Sequence, residues 1–288
     1  MPAADWRRAR LVLLRPPDNP HPFAFNEAIE FLLHSLRELG CDADSRENEF
    51  IRDGTNVLFG SHLLPRSILA SLPANCVVFN AEQIGSGSAF DSEAYREILA
   101  YYPVWDYSAR NVESLRRMLP ADRVHHVPIG YAPTLTRIEP APEEDIDVLF
   151  YGSVNDRREK VLEALRNAGL NVHYAYRVYG AERDRLIARA KVVLNVHYFS
   201  TRIFEIFRVS YLLANRKAVV SECAADTEID ARLREAVALA EYDQLVEACR
   251  ALVADGEARR QLAARGFERF RQLTFRVELR QAMDATRN

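Results

Sequence analysis

The sequence predicts an α/β protein of two parallel-sheet domains facing across a cleft. Three observations carry that expectation. Short apolar runs alternate with segments of helical period almost throughout. A stretch from Pro128 to Asp147 breaks the series with Pro133, Pro140, Pro142 and then Glu143-Glu144-Asp145. A second alternating series starts after it. Alternation of this kind implies parallel sheets covered by helices.

The elements follow in order. Leu11–Leu14 is a buried strand closed by Pro16-Pro17. The Arg7, Arg8 and Arg10 that precede it lead into only four apolar residues, too few for the apolar region of a signal peptide. Ala24–Leu39 is a helix, because Ile29, Leu32, Leu33, Leu36 and Leu39 recur at helical spacing and Gly40 stops it. Asn56–Gly60, Cys76–Asn80, Val104–Tyr107 and Val124–Ile129 read as strands, with a helix over Ala109–Leu119. Beyond the Pro-rich linker, Asp147–Tyr151, Asn171–Tyr176, Val192–Val196 and Ala218–Ser221 read as strands. Arg157–Ala168, Ala181–Ala190 and Thr201–Ala214 read as helices, and the tail from Tyr242 is helical. The expected domains are 1–135 and 145–272, with a last helix, 273–288, packing back on the first domain. Clefts and the carboxyl ends of parallel strands are where ligands bind in such folds.

Composition sets bounds. The 288 residues are 48% hydrophobic and 27% charged, an ordinary globular balance that suits about two domains. The 38 basic and 41 acidic residues give a net charge of −3, which argues against a general nucleic-acid binder. The four cysteines, Cys41, Cys76, Cys223 and Cys249, are widely spaced, so no zinc site or disulfide framework is expected and a reducing cytoplasmic compartment fits. No apolar run approaches the roughly 20 residues of a membrane span.

Two segments carry candidate chemistry. In Asp147–Lys160 a buried strand meets a turn at Gly152 and then a helix start, with Asp156 and Glu159 spaced as a capping box. Gly152 allows close backbone approach, the helix start offers free amides, and Arg157, Arg158 and Lys160 add positive charge. This suits a diphosphate. It is equally the composition of a solvated first helical turn. No P-loop and no dinucleotide glycine fingerprint is present. In Val192–Arg208 an apolar strand leads to His197 and Tyr198, and then to a helix that is apolar nearly all round. Glu205 lies just beyond the strand end. It either accepts hydrogen bonds from ribose hydroxyls or pairs with Arg202 or Arg208 at helical spacing. His197 either faces the cleft or is structural.

These segments together resemble the GT-B glycosyltransferases: two Rossmann-like domains, similar to the CgeB-like, group-1-type bacterial enzymes. The resemblance rests on His125-His126-Val127-Pro128-Ile129-Gly130-Tyr131, Phe150-Tyr151-Gly152-Ser153, Leu194-Asn195-Val196-His197-Tyr198, Arg202-Ile203-Phe204-Glu205 and Ala218–Glu222. The tail residues Tyr242, Asp255, Arg259 and Gly266 also fit it. It implies a metal-independent sugar transfer from a nucleotide diphosphate sugar to a glycan, lipid-linked or protein acceptor, with no further cofactor. It also implies closure of the domains on the donor. No Asp-x-Asp stands on a suitable strand-end loop, in keeping with metal independence. The location implied is the cytoplasm or the inner face of the inner membrane. A nucleotide-sugar epimerase and a non-catalytic nucleotide-sugar binding module on the same fold are the competing functions.

The resemblance also implies residue roles. Glu205 matches the second Glu of the family's E-x7-E element, which holds the ribose. His197 stands where the first Glu belongs. Gly152 matches the glycine that faces the diphosphate, and Ser153 replaces the Arg often found beside it. Arg157, Arg158 or Lys160 is then expected to supply the phosphate charge, with Tyr198 and Arg202 in the same donor region. Tyr179-Gly180 falls near the base-binding segment. The N-terminal half is expected to bind the acceptor, with His21 at a loop before the first long helix. His62, Glu82 and Asp106 are strand-end candidates for a catalytic base; each is also a candidate for a purely structural role.

Overall fold

A computed structural model describes residues 4–17, 19–87 and 92–286. The chain divides into two compact units, Met1–Ala132 with Thr274–Asn288, and Pro133–Leu273. The final two residues of the expected last helix, 287 and 288, lie outside the described residues.

The first unit holds a six-stranded, all-parallel sheet. Its elements are β1 (Arg8–Leu13), α1 (Asn26–Glu38), β2 (Asp42–Glu47), β3 (Thr55–Phe59), β4 (Cys76–Asn80), α2 (Glu93–Tyr101), β5 (Val104–Asp106), α3 (Ala109–Arg116) and β6 (Val124–His126). The strand order is β2-β1-β3-β4-β5-β6. β3 and β4 are buried along their whole length, as central parallel strands with both faces covered must be. β2 reads Asp-Ala-Asp-Ser-Arg-Glu and carries no apolar run. It pairs only with β1, and its Asp44 accepts two hydrogen bonds from Arg10 of that neighbour. Such an edge strand is held by backbone pairing and charge, which is why hydropathy does not show it.

The second unit holds a five-stranded parallel sheet. It comprises β7 (Ile146–Tyr151), α4 (Asp156–Asn167), β8 (Val172–Ala175), α5 (Gly180–Arg189), β9 (Ala190–Asn195), α6 (Ile206–Ala214), β10 (Ala218–Glu222), β11 (Ala238–Ala240), α7 (Leu245–Ala254) and α8 (Gly256–Phe270). The order β11-β10-β9-β7-β8 reverses direction between β7 and β9. The crevice at the carboxyl ends of those two strands is the topological switch point, the usual ligand position in open α/β sheets. α9 (Arg276–Ala285) packs on β6 of the first unit.

Several expectations are corrected. The helix read over Thr201–Ala214 begins only at Ile206. Arg202 has φ 49°, Phe204 N donates to Glu228 O at 3.1 Å, and Glu228 N donates to Arg202 O at 3.1 Å. Those backbone groups are satisfied across the chain, so the apolar pattern of 203–204 does not extend the helix. The expected Asp156/Glu159 capping box is displaced by one residue. Asn155 is the N-cap, its Oδ1 accepting from Arg158 N at 3.1 Å. The Pro-rich stretch is not a free tether along its whole length. Asn215 Oδ1 accepts from the backbone amides of Arg137 (2.9 Å) and Ile138 (2.8 Å), and its Nδ2 donates to Leu135 O at 2.8 Å.

Candidate donor and acceptor sites

The carboxyl ends of β7 and β9 bring together Gly152, Asn195, His197, Glu205 and Arg208. Glu205 is the residue immediately before α6. Its Oε2 accepts from Asn195 Nδ2 at 2.8 Å and lies 3.0 Å from His197 Nδ1. The Arg158 guanidinium stands 3.8 Å from Oε1. Burial opposes ionisation of Glu205. The His197 hydrogen bond and the charges of His197, Arg158 and Arg208 outweigh it and hold the carboxyl down to about 2. Neither partner expected at helical spacing is taken: Arg202 bonds Asp226 at 2.7 Å and Arg208 Nη1 bonds Asn195 Oδ1 at 2.8 Å.

His197 is buried and held at three points. Its backbone amide donates to Glu222 Oε2 at 3.0 Å. Its Nε2 lies 3.3 Å from Thr227 Oγ1, which itself accepts from Ala224 N. Nδ1 faces the ionised Glu205 carboxylate, which can only accept, so Nδ1 carries the proton donated there.

The three cations at the start of α4 do not gather at one place. Arg157 makes a bidentate pair with Glu222 and lies over the Tyr242 ring, 4.0 Å from its centroid. Arg158 turns inward, 3% exposed, and donates to Val196 O at 2.9 Å and Ser153 O at 2.8 Å. Lys160 and Ser153 are exposed. Tyr198 is exposed, with the Arg158 guanidinium 5.0 Å from its ring centroid. Tyr179 precedes α5 and Gly180 opens it with φ 54°. Among the described residues no group of three or more His, Cys, Asp or Glu side chains is placed to hold a metal ion.

In the first unit the carboxyl ends of β3 and β4 bring His62 and Glu82 together, Nε2 to Oε1 at 3.3 Å. Gly60, φ 82°, makes the turn after β3, where a Cβ would lie 2.7 Å from Leu14 O. The His21 ring stands edge-on to His62 at 6.5 Å between centroids. Burial pushes His62 down to about 4 and Glu82 above the usual carboxylate range. Asp106 is not part of this pair. It is fully buried, accepting from Ser108 N at 2.8 Å, Asn111 Nδ2 at 3.2 Å and Asn80 Nδ2 at 2.5 Å. The cap of α3 is Ser108, whose Oγ accepts from Asn111 N at 3.0 Å.

Residues 135–284, half the chain, match the glycosyl transferase-like family. The chain belongs to that family. Among curated proteins this transferase-like chain is similar to uncharacterized protein L140 of Acanthamoeba polyphaga mimivirus, 26% identical over 71% of this chain and 67% of that protein. It also resembles proteins L138 and L137 of the same virus, at 33% and 24% identity. The matches span only 12% and 27% of those two longer proteins. Among solved structures it is similar to Anabaena HepE in complex with UDP and glucose, with TM-score 0.60 and 10% identity over 96% of this chain and 99% of that one. The DNA-modifying β-glucosyltransferase gives 0.62 and 12%, over 96% and 99%. WaaG, a glycosyltransferase involved in lipopolysaccharide biosynthesis, gives 0.58 and 12%, over 96% and 98%. At these identities the likeness establishes the fold: two Rossmann-like domains of the GT-B type.

Within this transferase-like chain, sequence reasoning named Gly152, His197 and Glu205, and the structure brings them together. Asn195 and Arg208 received no binding role. The available signal was a polar Asn195 ending the apolar run Val192–Leu194, a residue that must find partners once buried.

Proposed function

We propose that the chain is a CgeB-like, group-1-type glycosyltransferase. It moves a sugar from a nucleotide diphosphate sugar to a glycan, lipid-linked or protein acceptor, without a metal. The observation that carries this reading is Glu205: a half-buried carboxylate, held ionised by its neighbours, at the switch point of the second sheet, in a chain of the glycosyl transferase-like family. A carboxylate so placed accepts from both hydroxyls of a ribose. The Gly152 turn and the amides opening α4 lie alongside, where a diphosphate receives backbone hydrogen bonds.

The second unit is then the donor domain and the first unit the acceptor domain. In the reaction the bond from the anomeric carbon to the β-phosphate oxygen breaks and a bond to the acceptor oxygen forms. Negative charge grows on the departing diphosphate, and fixed donors stabilise it. The acceptor hydroxyl loses its proton to a base, and the His62–Glu82 pair is the one we assign. Glu82 suits the role because burial raises its proton affinity toward the working pH. Asp106 and Asn80 position the loops around it. No helix among the described residues is long and apolar enough to cross a membrane. We place the protein in the cytoplasm or at the inner membrane face.

The test is in two stages. A thermal-shift panel of UDP, GDP, ADP, CMP and TDP identifies the nucleotide. Labelled sugars of that nucleotide are then incubated with the whole chain. Transfer or hydrolysis supports the proposal; epimerisation alone, or binding without turnover, overturns it.

A further inference from the structure

Arg157 is neutralised by Glu222, and Arg158 spends its donors on the backbone carbonyls of Val196 and Ser153. Two of the three cations expected from the sequence are thus engaged within the fold, and the third, Lys160, is exposed. Arg208 comes from the first turn of α6 and reaches back across the Gly152 turn. A Cβ on residue 152 would lie 2.6 Å from Arg208 Nη2, so the absent side chain is the space that the guanidinium occupies. Gly152 also holds φ 125°, which a side chain would strain. The guanidinium lies 5.4 Å from the centroids of both Phe150 and Tyr151, within cation–π range of each ring. Among the described residues the hydrogen bond that the guanidinium makes is from Nη1 to Asn195 Oδ1, at 2.8 Å.

The charge balance points the same way. Arg158 and Arg208 face one carboxylate, Glu205. Burial and then the Arg208 charge disfavour the cationic form of Arg158. One positive charge is in excess around the Gly152 turn, in surroundings that exclude much of the water that would screen it. An anion there relieves the repulsion between the two guanidinium groups.

We propose that Arg208, displayed through the gap at Gly152, is the residue that binds the diphosphate of the donor and takes up its charge as the sugar leaves. It fills the role that Ser153 cannot, from a different element of the fold. Its Nε and Nη2 form a planar fork suited to two phosphate oxygens. The proposal rests on the donor-site reading of this unit.

Calorimetry of the whole chain with UDP, GDP and ADP, each against its own nucleoside, tests it. Arg208→Gln is expected to weaken the diphosphate that binds by tenfold or more, with nucleoside affinity within twofold. Arg208→Lys keeps the charge but lacks the fork. It is expected to lose several-fold on the diphosphate alone, and it carries the test if Arg208→Gln does not fold. Equal losses for diphosphate and nucleoside, or no loss in either variant, overturn the role of Arg208 and leave the donor site standing. A wild-type chain that binds none of the three diphosphates overturns the donor-site reading itself, and the proposal with it.

Discussion

His197 Nδ1 lies 3.0 Å from Glu205 Oε2, eight residues further along the chain. The sequence places a His where the resembling family has a Glu, and the fold turns that substitution into a hydrogen-bonded pair. Two carboxylates at this separation would repel. A His and a Glu instead give one ionised acceptor with a fixed direction. The local electrostatics at the switch point of the second unit follow from this pair and the two guanidinium groups beside it.

Glu205→Gln separates the binding and structural roles of that carboxylate. The carboxyl is held at about 2 in the fold against an ordinary value of 4.5. A depressed acid contributes stability that is fully present above pH 4.5 and is lost as pH falls from there toward 2. The shift corresponds to about 3 kcal/mol. Urea unfolding should show Glu205→Gln less stable than the parent by this order at pH 6–7, with the gap closing as pH is lowered to about 2.5. Its donor KM should also rise. A gap independent of pH would mean that the carboxylate charge is not what stabilises the site.

Glu82→Gln tests the acceptor role proposed for the first unit. If the carboxylate takes the acceptor proton, turnover should fall by roughly 10²–10⁴-fold while nucleotide affinity stays within twofold. His62→Gln should also lower turnover, since it removes the partner of Glu82. A purely structural pair would give lower melting temperatures with kcat unchanged, and the assignment of the base would then move elsewhere.

What was legible in the sequence depended on where each residue ended up. Cys76–Asn80 is legible with its true bounds because β4 is buried on both faces, and a buried parallel strand is an apolar run. β2 was invisible because an edge strand needs no such run. The apolar pattern starts α6 too early because Ile203 and Phe204 are buried without being helical. At the site, Gly152 and Glu205 stood out through local pattern. The pairing of Arg157 with Glu222, 65 residues away, could not, because which carboxylate a guanidinium finds is decided by packing and not by neighbours in sequence.

Gly266 gives a test of packing in the second unit. It lies inside α8, where glycine is unfavourable by about 1 kcal/mol relative to alanine. A Cβ there would stand 2.5 Å from Ala236 O and 2.9 Å from Leu213 Cδ2. The first contact is with backbone and cannot be relieved by a rotamer change. Overpacking of this kind costs about 1–3 kcal/mol, so it outweighs the propensity gain. Gly266→Ala should lower the melting temperature by several degrees. A variant melting at or above the parent would show that α8 slides away freely.

The last prediction concerns the C-terminal segment. α9 belongs to the first unit although it follows the second in sequence. Phe275, Leu279 and Met283 are buried, and each contributes roughly 1.5–3 kcal/mol by burial. The Trp6 indole donates to Met283 O at 2.9 Å, and the Trp6 ring stacks on Trp105 of β5, centroids 5.0 Å apart. Arg276 also pairs with Glu38 at the end of α1 at 2.8 Å. Removing residues 274–288 therefore strips three large side chains from the first unit and leaves the Trp6 N–H without its acceptor. The sum is comparable to the whole stability of many domains. The chain has two tryptophans, and both are in this contact, so tryptophan emission excited at the red edge, away from tyrosine, reports on this unit alone. The truncated chain should show red-shifted tryptophan emission and lose hydrogen-exchange protection over residues 8–126, while protection in β7, β9 and β10 is retained. If β1, β3 and β4 keep their protection, α9 is a dispensable attachment, and the first unit draws its stability from its own sheet.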